Sequence, residues 1–244
     1  MKFKTVNHLT PIQQQVDSWI NSIGIRYFSE LTNLSNLIEE TGEVARLIGR
    51  EYGEQSFKKG EKPECIKTEI SDELSDVLFI LICLSNQLGI NLDDSFIKNM
   101  DKKTKRDTKR HELNKGSFCA DHKHLMLRDN NANHFTHIQQ QVDAWIEEIG
   151  KGYFNELTNL SNLSEEVGEV ARLIGRAYGE QSFKKGEEPV CIKTAVADEL
   201  VDVLFIVVCL ANQLDINLDD AFAKNMDKKT KRDITRHKNN SKLN

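Results

Sequence analysis

The chain has 244 residues and a mass of 27.9 kDa, room for one large domain or two of ordinary size. Hydrophobic residues make up 39% and charged residues 29%, which excludes a disordered composition. A net charge of −5, from 33 basic and 38 acidic residues, argues against a nucleic-acid partner, because phosphate affinity rests on clustered excess Lys and Arg. With only 3 Pro and 13 Gly, and no sustained alternation of apolar and polar residues, the expected class is all-α.

No apolar segment follows the Met1-Lys2 start, so no secretory signal is expected. The first predicted helix covers residues 10–23, with Thr10 as N-cap and Pro11 at the first helical position. The second covers 29–52 and contains "NLIEETGEVARLIGR". After the polar loop "GEQSFKKGEKPE", a third covers 65–88 and is apolar all round at "VLFILICL" (77–84). That run is too short to span a bilayer and belongs at the centre of a helix bundle. Asn91 caps a fourth helix that continues through "LDDSFIKNMDKKTKRDTKRH". These features imply a cytoplasmic chain with no membrane partner. The cysteines (65, 83, 119, 191 and 209) contain no C-x-x-C pair and are expected as buried free thiols.

The pattern then recurs. An offset of 126 carries Trp19 to Trp145, Glu39 to Glu165 and Asp76 to Asp202. Between residues 12–111 and 138–237, 77 of 100 positions are identical without a gap, which is a duplicated domain and not a short-period solenoid. The expected organisation is a first domain at 1–113, a linker at 114–135 and a second domain at 136–244. The linker contains Cys119, His122 and His124, too sparse a set for a metal site, and "HKHLMLR", a possible docked patch.

The chemistry lies in the acids. Glu39, Glu40 and Glu43 share a face of the second helix with Asn33 and Asn36. Taken alone, E-E-x-x-E reads first as a solvated helix face, its charges screened by water. Glu73, however, lies on one stripe with Val77, Ile80 and Leu84, and Asp76 sits beside it, so these acids open a buried seam. Ionised carboxylates there need a cation, strong donors or protonation. An all-oxygen set suits Mg²⁺, with Mn²⁺ as a substitute, better than Zn²⁺ or Cu²⁺. The copies differ at 23 of the 100 compared positions, yet Glu165, Glu166, Glu169, Glu199 and Asp202 repeat every acid, while Glu69 becomes Ala195. On the fourth helix Lys98, Lys102 and Lys105 form one face, and Asn99, Lys103 and Arg106 another. Most of this charge serves the helix dipole and solubility, and one or two of the cations are candidates to reach a triphosphate. Trp19, Tyr27, Phe28, Tyr52 and Phe57 are candidates to stack on a base.

E-E-x-x-E on one helix followed by E-x-x-D on the next resembles the MazG-like nucleotide pyrophosphohydrolases of the all-α NTP pyrophosphatase superfamily. "ELTNLSNLIEETGEVARLIGR", "YGEQSFK" and "DELSDVLFILICLSNQ" carry the likeness across nearly all of both copies. The resemblance implies Mg²⁺-dependent hydrolysis of a nucleoside triphosphate, or its deoxy form, to monophosphate and pyrophosphate, with nucleotide-pool cleansing as the expected role. By that analogy Glu40, Glu43, Glu73 and Asp76, and Glu166, Glu169, Glu199 and Asp202, hold metal, and Glu39, Glu40, Glu165 and Glu166 act catalytically on the attacking water. Asn33, Asn36, Lys103, Arg106, Asn159, Asn162, Lys229 and Arg232 are the candidate substrate-binding residues. Single-domain members pair so that two subunits complete each bundle. The tandem chain is therefore expected to be an intramolecular pseudo-dimer in a four-helix-bundle arrangement, able to dimerise further. Two other readings compete: a nucleotide-binding regulator or sensor without useful catalysis, and a helical scaffold with merely solvated acids.

Overall fold

In the computed structural model, which describes residues 7–113 and 134–236, the repeat of the sequence returns as a repeat of helices. The first copy forms α1 (Leu9–Ser22), α2 (Glu30–Glu51), α3 (Ile66–Gln87) and α4 (Leu92–Leu113). The second forms α5 (His134–Trp145), prolonged by a π-helical turn (Ile146–Gly150), then α6 (Glu156–Ala177), α7 (Ile192–Gln213) and α8 (Leu218–Arg236). Among the described residues there is no strand, and the protein is all-α. Cys119, His122, His124 and the "HKHLMLR" patch lie outside the described residues, whereas His134 and Phe135, at the end of the expected linker, belong to α5.

Local chemistry sets the helix ends. Ser29 Oγ accepts from the Thr32 amide at 3.3 Å, and Asn155 Oδ1 accepts from the Thr158 amide at 2.8 Å, so a polar N-cap opens α2 and α6 alike. Asn91 Oδ1 accepts from the Asp94 amide at 2.9 Å and opens α4 as expected. Thr10 is not the cap of α1. A carboxylate carries a full charge and four lone-pair sites, and Asp93 supplies it from the start of α4. Its Oδ1 accepts from the His8 and Leu9 amides at 2.9 Å, and its Oδ2 from the Thr10 amide at 2.8 Å and the Thr10 hydroxyl at 2.6 Å. Asp219 does the same for the Phe135 and Thr136 amides.

The α3–α4 turn closes with Gly89 at φ 61°, the Ile90 amide donating to Ser85 O at 2.8 Å and the Gly89 amide to Asn86 O at 3.0 Å. This is the six-to-one and five-to-two pattern that ends a helix on a left-handed residue. In the second copy Asp215 occupies that position at φ 53°.

Leu34, Leu37, Val44, Leu47 and Ile48 recur at helical spacing and bury one stripe of α2. From Val77 to Leu84 every α3 residue but Phe79 is buried, so α3 is the central helix the sequence implied. Cys83 and Cys209 are buried with it; Cys65 and Cys191 are exposed, because each is the extended residue just before α3 or α7 and not part of the apolar seam. Within each copy α2 packs on α3, and α6 on α7. The fourth helices cross over: α8 packs against α3, and α4 against α7. Trp19 Nε1 on α1 donates to Thr230 Oγ1 on α8 at 2.8 Å, and Trp145 Nε1 donates to Thr104 Oγ1 on α4 at 2.9 Å. With α2 also on α6 and α3 on α7, the two copies share one continuous apolar core. Among the described residues no single helix is long and apolar enough to cross a membrane.

Candidate functional site

Packing α2 on α3 brings three of the predicted acids together. Glu40, Glu73 and Asp76 each offer a carboxylate oxygen, all within 4.8 Å of one another, and Glu166, Glu199 and Asp202 repeat the group on α6 and α7. All six side chains are half-buried. Crowding shows in their proton affinities. Burial first, and then the Glu40 and Asp76 charges, push Glu73 up to about 7. Glu166 is pushed up to about 7 by burial and then Asp202, against the opposing Lys103 charge. Burial likewise raises Glu40 and Glu199, each with a neighbouring aspartate adding to the effect.

The other predicted acids stand at the edge of this group. Glu43 is held by Arg46 Nε at 2.6 Å and Glu169 by Arg172 Nε at 2.7 Å. Glu43 still lies near enough to raise Glu73. Glu39 and Glu165 are exposed, and Glu39 faces the adjoining cavity. Glu69 is exposed, as its replacement by Ala195 suggested.

The cations come from the opposite copy. Lys229 Nζ, on α8, lies 2.5 Å from Asp76 Oδ1 and 4.5 Å from the Phe79 ring centroid. Lys103, on α4, pairs with Asp202 and lies 4.7 Å from the Phe205 centroid. Each ammonium is therefore seated between a carboxylate and the face of an aromatic ring. One turn on, Arg232 is anchored by Asp233 at 2.6 and 2.7 Å and is held protonated by Asp233 and then by Asp76 and Glu40. Arg106 repeats this with Asp107, Asp202 and Glu166. Of the remaining basic face, Lys98 and Lys105 are exposed, and Lys102 only approaches Asp198, at 3.8 Å.

Beside the first acid group lies a cavity of about 390 Å³. Asn33, Asn36, Glu39 and Glu40 line it from α2, and Lys229 and Arg232 from α8. Trp19, Tyr27 and Phe28 form its aromatic side; Tyr52 and Phe57 do not line it, and Phe57 instead underlies Arg50 at 5.7 Å. Asn33 spends its amide on Gln87, Nδ2 donating to Oε1 at 2.5 Å, as Asn159 does with Gln213.

A positioning network escaped the sequence reading. Gln87 Nε2 donates to Phe28 O at 2.5 Å, and Asn86 Nδ2 to the Tyr27 hydroxyl at 3.1 Å, so the end of α3 holds the aromatic rim in place. Asn212 and Gln213 repeat both contacts. The available signal was the unchanged Asn-Gln pair closing the most apolar helix of both copies.

The domain model described as "MazG nucleotide pyrophosphohydrolase domain" matches the chain twice, over residues 28–111 and 154–237. The uncharacterized protein YpjD of Bacillus subtilis (strain 168) is 41% identical over 99 residues, a span covering 41% of this chain and 86% of that relative. No solved structure matches significantly. Two family matches in register, each taking in one complete acid group, carry the conclusion: the chain belongs to the MazG nucleotide pyrophosphohydrolase domain family, as a tandem duplication.

Proposed function

We propose that the protein is a nucleoside triphosphate pyrophosphohydrolase with two sites, folded as a tethered pseudo-dimer in which each site draws its acids from one copy and its cations from the other. The observation that carries this reading is the placement of Lys229 and Arg232 across one cavity from Glu40 and beside Asp76. Carboxylates suit a divalent ion, and cations suit a polyphosphate.

The donor set fits Mg²⁺, or Mn²⁺ in its place. Three half-buried oxygens crowd within 4.8 Å, and two of the three acids of the first group have raised pKa values, so a hard cation relieves a repulsion already present. Glu40, Glu73 and Asp76 would hold the ion, with Glu43 joining by leaving Arg46; Glu166, Glu199, Asp202 and Glu169 do the same in the second site. When bound, the ion neutralises phosphate charge and acidifies a coordinated water.

The chain's own residues do the rest. Lys229 and Arg232, and in the second site Lys103 and Arg106, bind the polyphosphate and set its direction along α2 or α6. Asn36 and Asn162 offer further donors, while Asn33 and Asn159 act through Gln87 and Gln213 on the rim. Trp19, Tyr27 and Phe28 take the nucleoside end. Glu39, exposed beside Glu40, orients the attacking water and accepts its proton as the bond between the α and β phosphates breaks; Glu165 serves beside Glu166.

The test is a panel of NTPs and dNTPs with Mg²⁺, with products separated by anion exchange. Monophosphate plus pyrophosphate supports the reading. Diphosphate plus orthophosphate, or no turnover of any nucleotide, overturns it.

A further inference from the structure

Sixteen residues line the cavity beside Glu40, and adding or subtracting 126 finds the counterpart of each. Fifteen counterparts are identical, from Trp145, Tyr153 and Phe154 through Asn162 and Glu166 to Lys103 and Arg106. One is not: Arg26 lines the first cavity, and Gly152 stands in its place in the second copy. Outside the lining, 22 of the other 84 compared positions differ, so a lining that is identical but for one charged residue singles out that residue.

The backbone and the rim differ at the same point. Ile25 is held at φ 70°, a strained value for a β-branched residue, and Arg26 follows it with its amide donating to Gly24 O at 2.9 Å. In the second copy Lys151 is likewise left-handed at φ 63°, but Gly152 then turns to φ 111°, a conformation that favours glycine. The next aromatic pair diverges too: Phe28 is 37% exposed and Phe154 63% exposed. The second rim is more open at Phe154 and has glycine where the first has Arg26, with an exposed lysine, Lys151, at the place of Ile25.

We propose that Arg26 makes the two sites unequal, giving the first a cationic donor at the nucleoside end and with it tighter binding of nucleotides whose bases present carbonyl acceptors. The inference rests on the nucleotide reading above and deepens it. Arg26 precedes Tyr27 and Phe28 and lies before the start of α2, whereas Glu40 is about 15 Å further along the helix axis. It therefore stands away from the acids, at the end where the base of a nucleotide would lie when its phosphates meet Lys229 and Arg232. A guanidinium offers parallel donors, which match the adjacent O6 and N7 acceptors of guanine; adenine sets an amino donor beside its N7. Guanine nucleotides gain most from Arg26 and adenine nucleotides least.

Titration calorimetry of the full chain with the α,β-methylene analogues of GTP and ATP, in Mg²⁺, tests this without turnover. The GTP analogue should bind two sites whose affinities differ by about tenfold. Arg26→Gly should merge them into one class at the weaker value, and the gap should be smaller for the ATP analogue. Two equal sites in the unmodified chain, an Arg26→Gly variant that keeps both classes, or an equal gap for both analogues overturns the inference alone. Failure of either analogue to bind at all overturns the nucleotide reading with it.

Discussion

Lys229 and Asp76 are 153 residues apart in sequence, yet the ammonium and the carboxylate lie 2.5 Å apart, nearly shielded from water. Lys103 and Asp202 repeat the pair in the other direction, so each acid group is closed by a helix of the other copy. A shielded pair is costly to break, because the survivor stays desolvated and uncompensated. Lys229→Met should lower stability by about 3 kcal/mol, read as a shift in the urea midpoint. An Asp76→Asn, Lys229→Met double variant should recover part of that loss; additive losses would mean the pair is not coupled.

Glu40→Gln with Glu166→Gln should abolish turnover, by on the order of 100-fold or more, while leaving the helical circular dichroism intact. Because both glutamates are crowded by other acids, the double variant should melt no lower than the parent in EDTA. Retained turnover would remove these residues from the chemistry.

Glu73 and Glu166 bind their protons up to about pH 7 in the folded chain, well above an ordinary glutamate. A carboxyl raised in this way stabilises the fold fully below its unfolded pKa, and that contribution is lost as pH rises through about 7. In EDTA the melting temperature should therefore fall between about pH 5 and about pH 7.5. Millimolar Mg²⁺ should flatten the fall, since the ion binds the deprotonated, folded site. Differential scanning calorimetry across that range checks it; a flat profile in EDTA would contradict the crowding of the acids.

Asp215 closes α7 in the left-handed conformation that Gly89 adopts after α3. Asp215→Gly removes a backbone penalty of about 1 kcal/mol, and loses only the exposed pair with Lys67 at 2.9 Å. A gain of about 0.5 kcal/mol is expected in chemical denaturation, whereas Asp215→Ala should lose stability.

Much of the fold was legible because strong local signals agreed. The helical spacing of apolar residues, the run through Leu84 and the Asn91 cap placed the helices of the first copy to within a residue or two, and the repeat supplied the second. Glu73 and Asp76 stood out because acids on a buried stripe contradict their surroundings. Two features were not legible for the same physical reason. The cap of α1 by Asp93 spans more than 80 residues, and the crossing of α4 and α8 rests on side chains that meet only after the copies embrace. Periodicity reports which face is buried, not what buries it. Lys103 and Lys229 stood in the sequence only as candidates to meet substrate; that each also pairs with an aspartate of the other copy, Asp202 and Asp76, is visible only in the fold.

The central claim is that acids and cations of opposite copies form one site. At saturating nucleotide and Mg²⁺, Glu40→Gln alone should leave only the site containing Glu166. Adding Arg232→Gln damages the site already lost, and adding Arg106→Gln damages the one still working. The account predicts that Glu40→Gln with Arg232→Gln keeps the turnover of Glu40→Gln, and that Glu40→Gln with Arg106→Gln falls well below it. The reverse order would place each cation with the acids of its own copy and contradict the account.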